Sequence, residues 1–104
     1  MPQYLFAYHG GKKPQTPEEG EKAMAEWGAW FQNMGDAIVV PGNPVGQSMT
    51  VSAQGMAGDG GANPVSGFTV IRADTHQAAC DLAKGCPMVA DGTGSVEVAE
   101  IMEM

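Results

Sequence analysis

Positive charge is scarce in this chain. Five Lys and Arg stand against twelve Asp and Glu, a formal net charge of −7. Nucleic-acid binding rests on clustered cations that neutralise phosphates. Here only Lys12 and Lys13 adjoin, while Lys22, Arg72 and Lys84 are scattered. Nucleic acid and anionic membrane surfaces are therefore excluded as expected partners. No stretch approaches the ~18 apolar residues of a membrane span. The opening residues, MPQYLFAYHGGKK, lack the basic start of a secretory leader. Cysteine and histidine are also rare: Cys80 and Cys86, His9 and His76. Their spacing matches neither a disulfide framework nor a zinc site. A reducing cytoplasmic setting, no metal and no cofactor are the expectations.

What is present is one domain. At 104 residues and 43% hydrophobic content, residues 1–104 can bury an ordinary core without staples. The sharpest stretch is 67–87, GFTVIRADTHQAACDLAKGCP. Phe68, Val70 and Arg72 alternate with Thr69, Ile71 and Ala73, a period-2 pattern rich in β-branched residues. Asp74 or Thr75 can cap the helix that follows, whose apolar stripe is Ala78, Ala79, Leu82 and Ala83. Gly85 is expected to take a left-handed C′ conformation, and Pro87 to stop the helix.

Earlier in the chain, residues 3–9 (QYLFAYH) predict a strand with Tyr4, Phe6 and Tyr8 on one face and Leu5, Ala7 and His9 on the other. Both faces are largely apolar, so helices cover one and something else is expected to cover the second. Thr16, Pro17 and Glu19 form a helix start of the capping-box type. The stripe Ala23, Met24, Trp27, Trp30, Phe31 and Met34 carries that helix to Gly35. Residues 37–40 read as a short strand, 49–53 as a weak edge strand, and 54–64 as a glycine-rich loop. Residues 88–94 read as a loop and 95–101 (SVEVAEI) as the last strand. The order is an α+β, ferredoxin-like βαββαβ with an antiparallel sheet and an inserted hairpin.

The run 67–87 followed by GSVEVAEIMEM resembles the YCII-related domain family, in the branch that includes the DGPF proteins. YLFAYHGG and AEWGAWFQNMGDAIVVPGNPVG fit the same family, so the resemblance covers nearly the whole chain. It implies a homodimer joined through open sheet faces into a dimeric α+β barrel. The DGPF tetrapeptide itself is missing. The His and Asp that the YCII subgroup places in its first helix and before the Pro after its second fall here at or near Met24 and on Cys86. Neither residue can perform that proton chemistry, so the subgroup's mechanism is not expected.

Among the chemical residues, His9 stands out because Gly10 and Gly11 beside it would let a ligand approach. His76 reads as a solvent-facing residue of the second helix. Cys86, just past a helix C-terminus, reads as a buried thiol rather than a nucleophile. Trp30 sits at the edge of its stripe with an indole N–H that needs a partner. The expected site is a pocket for a small, partly apolar molecule, with His9 for polar contact or proton transfer. Met24, Trp27, Trp30, Asn43 and Cys86 are expected around the ligand. Two functions remain open: cofactor-free proton transfer of isomerase or lyase type, or a non-catalytic binding or regulatory module. A His9 aimed into a closed pocket beside a carboxylate favours the first. A His9 exposed or bonded only to backbone favours the second.

Overall fold

In the computed structural model, which describes residues 1–104, the period-2 pattern of the first strand becomes the centre of a sheet. β1 (Gln3–Gly10) pairs antiparallel with β5 (Val65–Arg72) on one side and with β6 (Gly94–Glu100) on the other. The short β2 (Ile38–Val40) lies outside β5, giving the order β2-β5-β1-β6. This is the ferredoxin-like arrangement of an antiparallel sheet, with the first strand inside and the split βαβ units interleaved.

Helix boundaries follow local chemistry. α1 (Pro17–Met34) starts where Thr16 turns extended, and the Thr16 hydroxyl accepts from the Glu19 N–H at 3.1 Å. The Glu19 carboxylate reaches back one residue further than the standard box, to the Gln15 N–H at 2.7 Å. Gly35, at φ 51°, ends the helix in the left-handed region. α2 (His76–Ala83) is capped by Thr75, not Asp74, through the Ala78 N–H at 3.0 Å. No helix is long and apolar enough to cross a membrane.

Three expectations need correction. Gly85 is not left-handed; it is required because an added Cβ would lie 2.8 Å from Cδ1 of Trp30. Pro87 does stop α2, but it also occupies the first position of a further one-turn helix, α3 (Pro87–Ala90), where a loop was expected. The weak edge strand β3 (Thr50–Ser52) does not join the main sheet. It pairs with β4 (Gly55–Ala57), which emerges from the stretch expected to be loop. Gly55 at φ 114° permits the tight turn, and the Ser52 hydroxyl accepts from the Gln54 N–H at 3.2 Å within it.

The helices cover only one face of the sheet. Tyr4, Phe6 and Tyr8 lie buried there with Trp30, Met34, Ile71, Ala79 and Ala83. Phe6 stacks on Trp30 at 6.2 Å, and Tyr8 meets Trp27 edge-on at 5.2 Å. The opposite face carries Leu5, Ala7, Phe68 and Val70, each half-buried with no helix above it. Only 13 of 104 residues are buried, and the chain exposes 7101 Å². A compact monomer of this mass exposes roughly 5,500 Å². The molecule is correspondingly flat, 43 × 43 × 20 Å.

One polar chain crosses the core and fixes the sheet edge. The Thr69 hydroxyl donates to the Pro41 carbonyl at 2.8 Å, so the Tyr8 hydroxyl donates to Thr69 at 2.7 Å. Burial pushes the Tyr8 phenol well above its ordinary range, keeping it a neutral donor. Beside this chain, Gly42 (φ 75°) runs so close to β5 that a Cβ would collide with the Phe68 carbonyl. Thr69→Val keeps the shape but leaves the Tyr8 and Pro41 groups without partners. A loss of about 1–3 kcal/mol in urea unfolding is expected, with an unchanged far-UV spectrum. An unchanged midpoint would mean that the network contributes nothing.

Candidate functional site

Strand alternation decides which candidate residues can meet. His9 shares a face with Leu5 and Ala7, whereas Tyr8, one residue earlier, points to Trp27 and Trp30. The single pocket expected from sequence is therefore not assembled: His9 lies on the open sheet face, and both tryptophans lie beneath the helices.

His9 is itself well held. Its Nε2 is 2.9 Å from a Glu97 carboxylate oxygen, and its Nδ1 is 3.0 Å from the Asn63 carbonyl and 3.2 Å from that of Pro64. The His9 side chain is 12% exposed and that of Glu97 69%. Carbonyl and carboxylate oxygens only accept, so both contacts are hydrogen bonds when the ring carries two protons. In that form it has no lone pair left to act as a base. The carboxylate beside His9 matches one expectation for an enzyme, but no closed pocket accompanies it. The residue ties β1 to β6 and to the segment before β5.

The other expected residues separate in the same manner. Trp30 is buried, and its indole N–H donates to the Leu82 carbonyl at 2.9 Å, so the partner it needed is the C-terminal end of α2. Met24 is 78% exposed on the outer side of α1 and lines no cavity with the others. Asn43 is exposed, and its carbonyl accepts from the Phe68 N–H at 3.2 Å, a structural tie between the loop after β2 and β5. Cys86 is fully buried as the residue preceding α3. Burial pushes its thiol up, consistent with an inert packed residue. His76 is not simply solvated: its Nε2 lies 2.9 Å from the Val98 carbonyl and its ring packs on Tyr4 at 5.3 Å.

Trp27 is the exception. It forms a wall of a cleft of about 250 Å³ between the first half of α1, the loop after β1, and α3. Met88 contributes from α3, with its side chain over Gly11 and Gly94, where added Cβ atoms would fall 3.1 and 2.6 Å from it. Lys12 and Lys22 reach the rim, with Glu19, Glu26 and Asp91. Two of the three carboxylates are engaged. Glu19 accepts from the Gln15 N–H, and Asp91 accepts from the Thr93 N–H and hydroxyl at 2.9 and 2.6 Å. Those Thr93 bonds hold Asp91 below the usual carboxylate range, which makes it a poor base. Neither lysine forms an ion pair. No three His, Cys, Asp or Glu side chains converge as metal ligands.

Sequence reading missed this cleft because it missed α3. The signal was present in Pro87, which suits the start of a helix as well as the end of one, and in Asp91 followed by Thr93, which closes the turn after it.

No protein-family model matches the chain, and no curated protein matches it. Among solved structures it is similar to 5-chloro-2-hydroxyhydroquinone dehydrochlorinase (TftG) from Burkholderia phenoliruptrix AC1100, in complex with 2,5-dihydroxybenzoquinone. The TM-score is 0.58 at 14% identity, over 98% of this chain and 95% of that one. The likeness establishes a shared fold across the full length.

Proposed function

We propose that this chain is a homodimeric protein of the YCII-related group that binds a small, planar, partly apolar molecule with acidic oxygens. The binding place in this reading is the cleft between α1 and α3. The observation that carries it is the placement of charge. In a chain of net −7, two of only five cations, Lys12 and Lys22, line one cleft beside an indole, and neither is within ion-pair distance of the Glu19, Glu26 and Asp91 carboxylates that share the rim. A flat ring would rest against Trp27 and Met88, and its oxygens would take the ammonium donors. The volume, about 250 Å³, lies below the usual ~300–1,000 Å³ of ligand pockets and restricts the ligand to a single small ring. The fold neighbour was captured with a molecule of this class, 2,5-dihydroxybenzoquinone, which makes that compound the natural probe.

The groups present favour binding over proton transfer. His9 is on the other face of the sheet, Cys86 is sealed in the core, and Asp91 is committed to Thr93. The homodimer draws its support from the uncovered apolar sheet face and from a surface larger than one compact chain requires.

Calorimetric titration with 2,5-dihydroxybenzoquinone tests the ligand half of this reading. Lys12→Gln with Lys22→Gln is expected to weaken binding by at least about tenfold. His9→Ala should leave the affinity within about twofold of wild type. Loss of binding in His9→Ala alone would place the ligand on the opposite face and overturn the assignment. For the dimer, light scattering at micromolar concentration should return twice the chain mass; the mass of one chain would contradict it.

A further inference from the structure

The β3–β4 hairpin is an amphipathic element with nothing to pack on. Val51 and Met56 are direct cross-strand partners and so share a face, and Met49, two residues before Val51, shares it too. Their exposures are 74%, 74% and 63%. A two-stranded hairpin alone in water is marginal, yet the base of this one is built with care. Thr50 donates to the Asp59 carbonyl at 2.7 Å and Gln47 to the Gly58 carbonyl at 3.0 Å. Gly60 is wedged between Ser48 and Pro64, each 2.8 Å from where a Cβ would stand. The joint is anchored to the sheet by the Val45 N–H on the Ser66 carbonyl and by the bridge between Pro44 and Gly67. A fixed joint that carries an unpacked apolar face is shaped for a surface outside its own chain.

Charge and area identify that surface. Residues 37–58 contain no Asp, Glu, Lys or Arg, in a chain of net −7. A neutral arm can approach another copy of an acidic chain without like-charge repulsion. Each copy also presents Leu5, Ala7, Phe68 and Val70 on its uncovered sheet face. The surface in excess of a compact chain is roughly 1,500 Å². That is about twice what one partner contributes to a standard interface, enough for both a sheet face and an arm. We propose that the β3–β4 arm of one copy packs across a second copy, setting Met49, Val51 and Met56 against that copy's uncovered sheet face. This rests on the dimer reading above and adds the segment that clasps it.

The test uses the wild-type chain, with one portion methyl-labelled at Met and Val and mixed with an unlabelled portion. Intermolecular nuclear Overhauser contacts are expected from the Met49, Val51 and Met56 methyls to Leu5, Phe68 or Val70 of the unlabelled copy. A dimer whose arm methyls give no such contacts overturns the clasp and leaves the dimer standing; a monomer overturns both. Val51→Asp with Met56→Asp, at positions exposed in the single chain, should raise the dimer dissociation constant at least tenfold. An unchanged constant would likewise overturn the clasp.

Discussion

The indole of Trp30 is constrained from three directions, and the helix side of the molecule is arranged around it. Phe6 stacks on it from the sheet, and Tyr8 meets it edge-on at 6.3 Å. Its N–H donates to the Leu82 carbonyl in the last turn of α2, which also accepts from the Gly85 N–H at 3.2 Å. Gly85 lies against the ring with no room for a side chain. One residue of α1 therefore fixes where α2 ends, and through that where Cys86 and α3 begin. The cleft beside Trp27 depends on this placement, because α3 supplies Met88 to it. Losing the Trp30–Leu82 bond would leave the indole N–H unpaired in a desolvated place, while the Leu82 carbonyl would keep the Gly85 N–H.

A strict alternation along β1 then divides the chemistry of the protein. Even-numbered Tyr4, Phe6 and Tyr8 go to the helices; odd-numbered Leu5, Ala7 and His9 go to the open face. The two sides are suited to different work. The helix side holds a small cleft with cations at its rim. The open side is broad, carries Leu5, Ala7, Phe68 and Val70 beside polar neighbours such as Arg72, and holds His9 between Glu97 and the Asn63 carbonyl. Association across the open side would leave the cleft accessible, so dimerisation and ligand binding need not compete for the same surface.

The fold was legible wherever its determinants are local. Thr16, Pro17 and Glu19 announce α1, and Thr75 with the alanine stripe announces α2, because caps act over three or four residues. The alternation of β1, β5 and β6 was equally plain. What could not be read depended on distant partners. Trp30 looked like an edge residue of its stripe because Leu82 and Gly85 are more than fifty positions away. β4 exists only through its pairing with β3, and Gly55–Ala57 has no strand pattern of its own. The candidate site was half legible. Trp27 was recognised, but the cations at the cleft were passed over as scattered charge. His9 was grouped with the tryptophans although its odd position along β1 already set it on the other face.

The central claim is that ligand chemistry belongs to the cleft beside Trp27 and not to the sheet face that bears His9. The most direct measurement is a titration of 2,5-dihydroxybenzoquinone followed through the Trp27 indole N–H and His9 imidazole resonances of the wild-type protein. The account predicts a saturating shift of the Trp27 signal with the His9 ring signals unmoved. A saturating shift at His9 with Trp27 unaffected would contradict it.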